Sequence, residues 1–134
     1  MRIVVGYDGS DSAKRALDRA IELRDGGAAI DVVAAERLMP QGKGAMFVVD
    51  PIDVEACTRA VRDAAARLRD AGVSGTLVEA RGDPGDVLVE HAGEVGADLI
   101  VVGTRDHGPV GRALLGSVST AVVHRAPCDV LVVR

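Results

Sequence analysis

Short aliphatic runs recur five times along this chain, and each is followed or preceded by a stretch of helical period. The runs are Ile3-Val-Val5, Ile30 to Ala35, Gly75 to Ala80, Leu99-Ile-Val-Val102 and Val130-Leu-Val-Val133. They read as continuous apolar strands, not alternating ones, which is the pattern of a strand buried on both faces. Between them, apolar residues fall at helical spacing: Ala13, Ala16, Leu17, Ala20 and Ile21, then Cys57, Ala60, Val61, Ala64, Leu68 and Ala71, then Val87, Leu88, His91 or Ala92, and Val95. A short helix over 117–125 precedes the last strand. The order β-α-β-α-β-α-β-α-β implies a parallel sheet with helices on both faces.

The punctuation agrees with this order. Asp8-Gly-Ser-Asp11 supplies an N-cap to the first helix, and Gly26-Gly27 stops it. Asp50-Pro51 and Asp83-Pro84 each combine a cap with proline at the first helical position. Gly72 and Gly96 close helices, and Pro127 ends the last one. Residues 37–49 contain Pro40, Gly42 and Gly44 and no clear period, so the expectation there is a long loop. Asp31, Asp98 and Asp129 stand at the starts of aliphatic strands, which reads as shared strand grammar and not as a repeat.

With 134 residues, the chain is expected to form one domain over 1–134. Phe47 and Tyr7 are its only aromatic residues, so its core must be aliphatic. The formal net charge of -4 argues against nonspecific nucleic-acid binding, which depends on neutralising phosphates. Cys57 and Cys128 have no CxxC or metal-type spacing. They read as small hydrophobes in a reducing compartment. No apolar stretch approaches the ~20 residues of a membrane span, and the N-terminus turns polar too early for a signal peptide. The expectation is a cytoplasmic protein with neither nucleic-acid nor membrane partners.

In open α/β sheets, ligands bind beyond the carboxyl ends of the strands, where the strand order reverses. Two loops at such ends have distinctive chemistry. One is Asp8-Gly9-Ser10 after the first strand. The other follows the fourth strand and reads GTRDHGPVGRALLGSVS from Gly103 to Ser119, with glycines at Gly103, Gly108, Gly111 and Gly116. If the first and fourth strands are neighbours, both loops face one crevice. Gly116-Ser117 opens a helix, whose free N–H groups favour an anion, and the Ser117 hydroxyl adds a donor or an ordinary N-cap. Phosphate binding is the reading that uses all these parts. Gly111 to Ser117 lacks the lysine of a Walker A loop, and GxGxxG occurs nowhere.

These residues resemble the universal stress protein family over essentially the whole chain. The start YDGSDSAKRAL and the ending LLGSVSTAVVHRAPCDVLVV carry the likeness, together with the loop pattern Gly-x2-Gly-x9-Gly-Ser. The resemblance implies a five-stranded parallel sheet in the order 3-2-1-4-5, flavodoxin-like and close to the adenine nucleotide alpha hydrolases. It also implies ATP as ligand, with Mg²⁺ on the phosphate tail. Asp8 would then lie near the ribose or adenine, the backbone of Ala35 near the adenine and Gly103 near the ribose. Gly116, Ser117 and Val118 would hold the phosphates.

One position departs from the pattern, because Asp106 stands at the second glycine. Its charge beside phosphate would cost on the order of 1–4 kcal/mol at surface-like dielectric. Arg105, His107 and Arg112 are placed to offset this, or Asp106 turns outward or helps hold Mg²⁺. Gly108 and Gly111 supply flexibility nearby.

No GxSxG elbow, HExxH or placed general base points to catalysis. His91 and His124 read as surface or partly buried helix residues. His107 either touches phosphate or is an exposed loop residue. Ser10, Asp11 and Ser12 read as helix-capping residues. Arg59, Arg62, Asp63, Arg67 and Asp70 read as a solvated helix face.

The expectation is therefore a non-enzymatic, ATP-binding stress-response protein, hydrolysing ATP slowly at most. It would be homodimeric through its apolar last strand, an open edge of the kind that pairs with another chain. The alternatives are a nucleotide-free dimeric interaction module of the same fold and a weak ATPase.

Overall fold

The computed structural model describes residues 1–40, 43–44, 46–49, 51–104 and 116–134. Its elements run β1 (Arg2–Gly6), α1 (Asp11–Leu23), β2 (Ala29–Glu36), β3 (Leu38–Pro40), β4 (Phe47–Val49), α2 (Pro51–Asp70), β5 (Gly75–Arg81), α3 (Pro84–Val95), β6 (Leu99–Gly103), α4 (Ser117–Arg125) and β7 (Asp129–Val133). The large sheet has the order β5-β2-β1-β6-β7, and all its pairings are parallel. Counting only its own strands, that order is 3-2-1-4-5.

The central strand shows why the sequence lacks alternation. Ile3 and Val5 point into one core with Leu17, Ile30, Val32, Ala64 and Leu68, beneath α1 and α2. Val4, between them, points into the opposite core with Val33, Leu88, Ile100 and Val122, beneath α3 and α4. Successive side chains on a strand face opposite ways, so a strand covered on both sides must be apolar throughout. Ile3, Val4, Val5, Ile100 and Val101 are all fully buried. The edge strands β5 and β7 depart from this rule, and all their residues are exposed or half-buried.

The long loop expected over 37–49 is not what forms. Leu38–Pro40 and Phe47–Val49 pair antiparallel as a small hairpin outside the main sheet. Of the residues that hid a period in the sequence, Pro40 ends its first strand and Gly44 falls between its two strands. Both N-cap expectations that fall on described residues hold in substance. The Ser10 hydroxyl accepts from the Ala13 N–H at the start of α1. Asp83 accepts from the N–H groups of Gly85 and Asp86, with Pro84 as the first residue of α3. Asp50 lies outside the described residues.

The three strand-opening aspartates do different jobs. Asp98 accepts from the Arg2 N–H at 2.7 Å and ties the starts of β1 and β6 together. Asp129 is exposed. Asp31, only 2% exposed, meets His91 Nε2 of α3 at 2.9 Å. The Arg2 Nε lies 3.8 Å from its other oxygen. Thus His91 is a partly buried partner of an interior carboxylate, at the end of the sheet away from the loops described next.

Candidate functional site

A cavity of about 300 Å³ opens over the carboxyl ends of β1, β2 and β6. Its position follows from topology. From β1 the chain crosses to β2 on one side, and later strands β6 and β7 build out on the other, so a crevice opens where the order reverses. Because β1 pairs with both β2 and β6, the loops after β1 and β6 face the same space. The conditional adjacency read from the sequence is therefore realised.

Of the residues singled out by sequence, Asp8, Ala35, Gly103, Gly116, Ser117 and Val118 all line this cavity. Asp106 and Gly108 lie outside the described residues, as do Arg105, His107, Gly111 and Arg112. Asp8 also shapes its own loop, since its carboxylate accepts from the Ser10 N–H at 2.9 Å. Between them Gly9 takes a φ of +80°, in the left-handed region that glycine adopts freely.

Gly103 has a structural reason to be glycine. A Cβ there would lie 2.5 Å from the backbone carbonyl of Ser12. The close approach brings the end of β6 against the first turn of α1.

The phosphate-type end of the cavity is the start of α4. The N-cap is Gly116, and among the described residues no side chain caps this helix. Ser117 is the first helical residue and is exposed, so the N-cap role considered for its hydroxyl is not the one it has. The Ser119 hydroxyl instead donates to the Gly116 carbonyl at 3.0 Å. The Thr120 N–H is the first in this helix to bond backward, to Gly116 O at 2.9 Å. The preceding helical N–H groups therefore have no intrahelical acceptor, and the positive end of the helix faces the cavity.

The opposite wall comes from α2, which the sequence reading did not associate with the site. Asp53, Ala56, Cys57 and Ala60 line it. Their spacing, i, i+3, i+4 and i+7, is one face of a helix and could have been found that way. Burial pushes the Cys57 thiol up to about 11, with the carboxylates of Glu79, Glu36 and Asp53 adding to the shift. The thiol is thus held protonated at neutral pH.

Tyr7 closes the floor. Its hydroxyl donates to the Asp63 carboxylate. Burial first, then that bond and the Asp63 charge, hold the phenol well above its ordinary range. Arg67 lies 3.4 Å from Asp63 and 3.1 Å from Asp18 of α1. The expected solvated face of α2 is therefore wrong for Asp63 and Arg67, which join α1, α2 and β1. An exposed helix face and a helix–helix ionic seam have the same residue types, so sequence could not separate them.

Among the described residues, no group of three or more His, Cys, Asp and Glu side chains could hold a metal ion. None of the described helices is long and apolar enough to cross a membrane. Both cysteines are free thiols.

The fold and cavity define a doubly wound α/β domain with an anion-favouring helix start at its switch point. The universal stress protein family model matches residues 1–134, and the chain belongs to that family. It is 39% identical over 139 residues to a universal stress protein of Thermus aquaticus, covering 98% of this chain and 97% of that one. It is 38% identical over 143 residues to one from Mycobacterium tuberculosis, covering 98% and 94%. Among solved structures, a universal stress protein in complex with cAMP is 34% identical, with a TM-score of 0.75 over 100% of this chain and 97% of that one. A universal stress protein of Archaeoglobus fulgidus in complex with dAMP is 28% identical, with a TM-score of 0.78 over 100% and 98%.

Proposed function

We propose that this protein is a non-enzymatic ATP-binding regulator whose nucleotide occupies the cavity over β1, β2 and β6. One observation carries the reading. The start of α4 opens into that cavity with no side-chain cap among the described residues, so its first N–H groups suit an anion. In this reading Gly116, Ser117 and Val118 hold the phosphates, Gly103 and Asp8 lie along the ribose, and the adenine rests between Ala35 and α2. Asp106 and Gly108 belong to the same phosphate loop. The cAMP and dAMP complexes of the two relatives support an adenine nucleotide as the ligand class. Mg²⁺ would ride on the phosphate tail. The same reading has the protein acting in the cytoplasm as a homodimer joined through β7, whose aliphatic residues form one edge of the sheet.

The test is calorimetric titration of ATP with Mg²⁺ into nucleotide-stripped protein, beside Gly116→Glu. The expected result is binding that Gly116→Glu abolishes, with no steady-state release of phosphate. Binding unaffected by Gly116→Glu would move the nucleotide away from α4. Turnover that follows ATP occupancy would make the protein an ATPase.

Asp106 supports a second reading, a nucleotide-free dimeric interaction module of the same fold. Its carboxylate stands where the family's loop pattern has glycine, beside the expected phosphates. Binding by Asp106→Gly and none by the wild type would select that reading.

A further inference from the structure

A second cavity, of about 450 Å³, adjoins the first and meets the proposed nucleotide site only at its phosphate end. Arg37, Ser117 and Val118 line both. From this shared border the second cavity runs away from α2. It lies between the β3–β4 hairpin, the Gly82-Asp83 turn before α3 and the first turns of α4. Its volume is in the range of small-molecule sites.

Its lining has a definite chemistry. Leu38 and Phe47 come from the hairpin, and Val118 and Ala121 come from α4. Phe47 is the only phenylalanine of the chain; it lines the cavity and is 60% exposed, so its ring is not spent on the core. Asp83 also lines it, with one carboxylate oxygen accepting from the Gly85 and Asp86 N–H groups at the start of α3. The border carries the cation of Arg37 and the uncapped start of α4, both suited to phosphate. The order across the two cavities is therefore an apolar slot, an anion-favouring border, and a second slot with an aromatic platform.

We propose that the second cavity is a subsite for a second nucleoside, and that the protein takes dinucleoside polyphosphates. One nucleoside would lie in the first cavity, the phosphate chain would cross the border at Arg37 and Ser117, and the second base would stack on Phe47. Base–aromatic stacking tolerates any base, because every base has a π-face. Asp83 can accept from a base amino group or a ribose hydroxyl. The inference rests on the reading of the first cavity as a nucleotide site.

The experiment compares diadenosine tetraphosphate with adenosine 5′-tetraphosphate, which carries a chain of four phosphates but no second nucleoside. Both are titrated into nucleotide-stripped wild type and Phe47→Ala. The wild type is expected to bind the dinucleotide about tenfold more tightly, the order of one stacked base. Phe47→Ala should bring the two ligands to within twofold of each other. Equal affinities in the wild type would overturn the subsite while leaving the first cavity's nucleotide intact. A tenfold preference that survives Phe47→Ala would overturn the placement of the second base. Failure of both ligands to bind would overturn the nucleotide reading, and this inference with it.

Discussion

The Tyr7 hydroxyl donates to the Asp63 carboxylate, joining the end of β1 to α2 directly beneath the cavity. Burial, then the bond to Asp63 and the repulsion that ionising the phenol would set up against its carboxylate, make the phenol resist deprotonation. Tyr7 is the only tyrosine and the chain has no tryptophan, so its absorbance can be followed cleanly. The folded protein should show no tyrosinate at an ordinary phenol pKa of about 10. Asp63→Asn should return the titration toward that value. A wild-type titration near it would mean the bond does not persist in solution.

His91→Ala should destabilise the protein by about 1–3 kcal/mol, the usual cost of leaving a buried polar group short of a partner. The group left behind is Asp31, whose remaining neighbour is the Arg2 Nε at 3.8 Å. Urea denaturation measures the loss. Replacing Asp31 by Ala as well should recover part of it, because the stranded carboxylate goes too. Strictly additive losses would show that the 2.9 Å contact contributes nothing.

Gly103→Ala should cost about 1–3 kcal/mol, because the new methyl overlaps the Ser12 backbone and neither strand nor helix can yield easily. Gly27→Ala is the matched control, since nothing lies within 4 Å of a Cβ there. Thermal denaturation should separate the two variants clearly. Equal midpoints would show that α1 shifts to admit the methyl.

Cys57 makes stability depend on alkaline pH. Its thiol is raised from 9.0 to about 11 in the folded protein, so between those values the unfolded chain releases a proton that the folded one keeps. The contribution is fully present below pH 9.0 and is lost as pH rises toward 11. The wild type should therefore lose more of its denaturation midpoint over this interval than Cys57→Ser does. Cys128, also raised by burial, remains in both proteins and cancels from the comparison.

Much of this was legible in the residues themselves. Uninterrupted aliphatic strands can only be buried on both faces, and that fixed Arg2–Gly6 and Leu99–Gly103 as interior. Gly116-Ser117 announced the helix start because it follows the glycine-rich stretch after β6 and precedes Pro127 by one short helix. The α2 wall was not seen, because Cys57 and Ala60 serve the core and line the cavity from the same helix face. The hairpin was missed because three-residue strands are too short to show a period. The Asp31–His91 pair joins residues sixty apart, and nothing local in either segment points to the other.

The position of β1 bears on the order in which this protein can be made. It precedes the other strands of its sheet in the chain, yet it sits in the middle of that sheet, and one of its two neighbours begins only at Leu99. Until β6 is synthesised, Ile3, Val4 and Val5 have an open, wholly apolar edge. The cavity needs still more of the chain, since its lining runs from Gly6 to Ser119. Translation therefore completes the cavity lining only at Ser119, and a chain stopped short of α4 has four strands of the main sheet without β7 and without the helix start that completes the cavity.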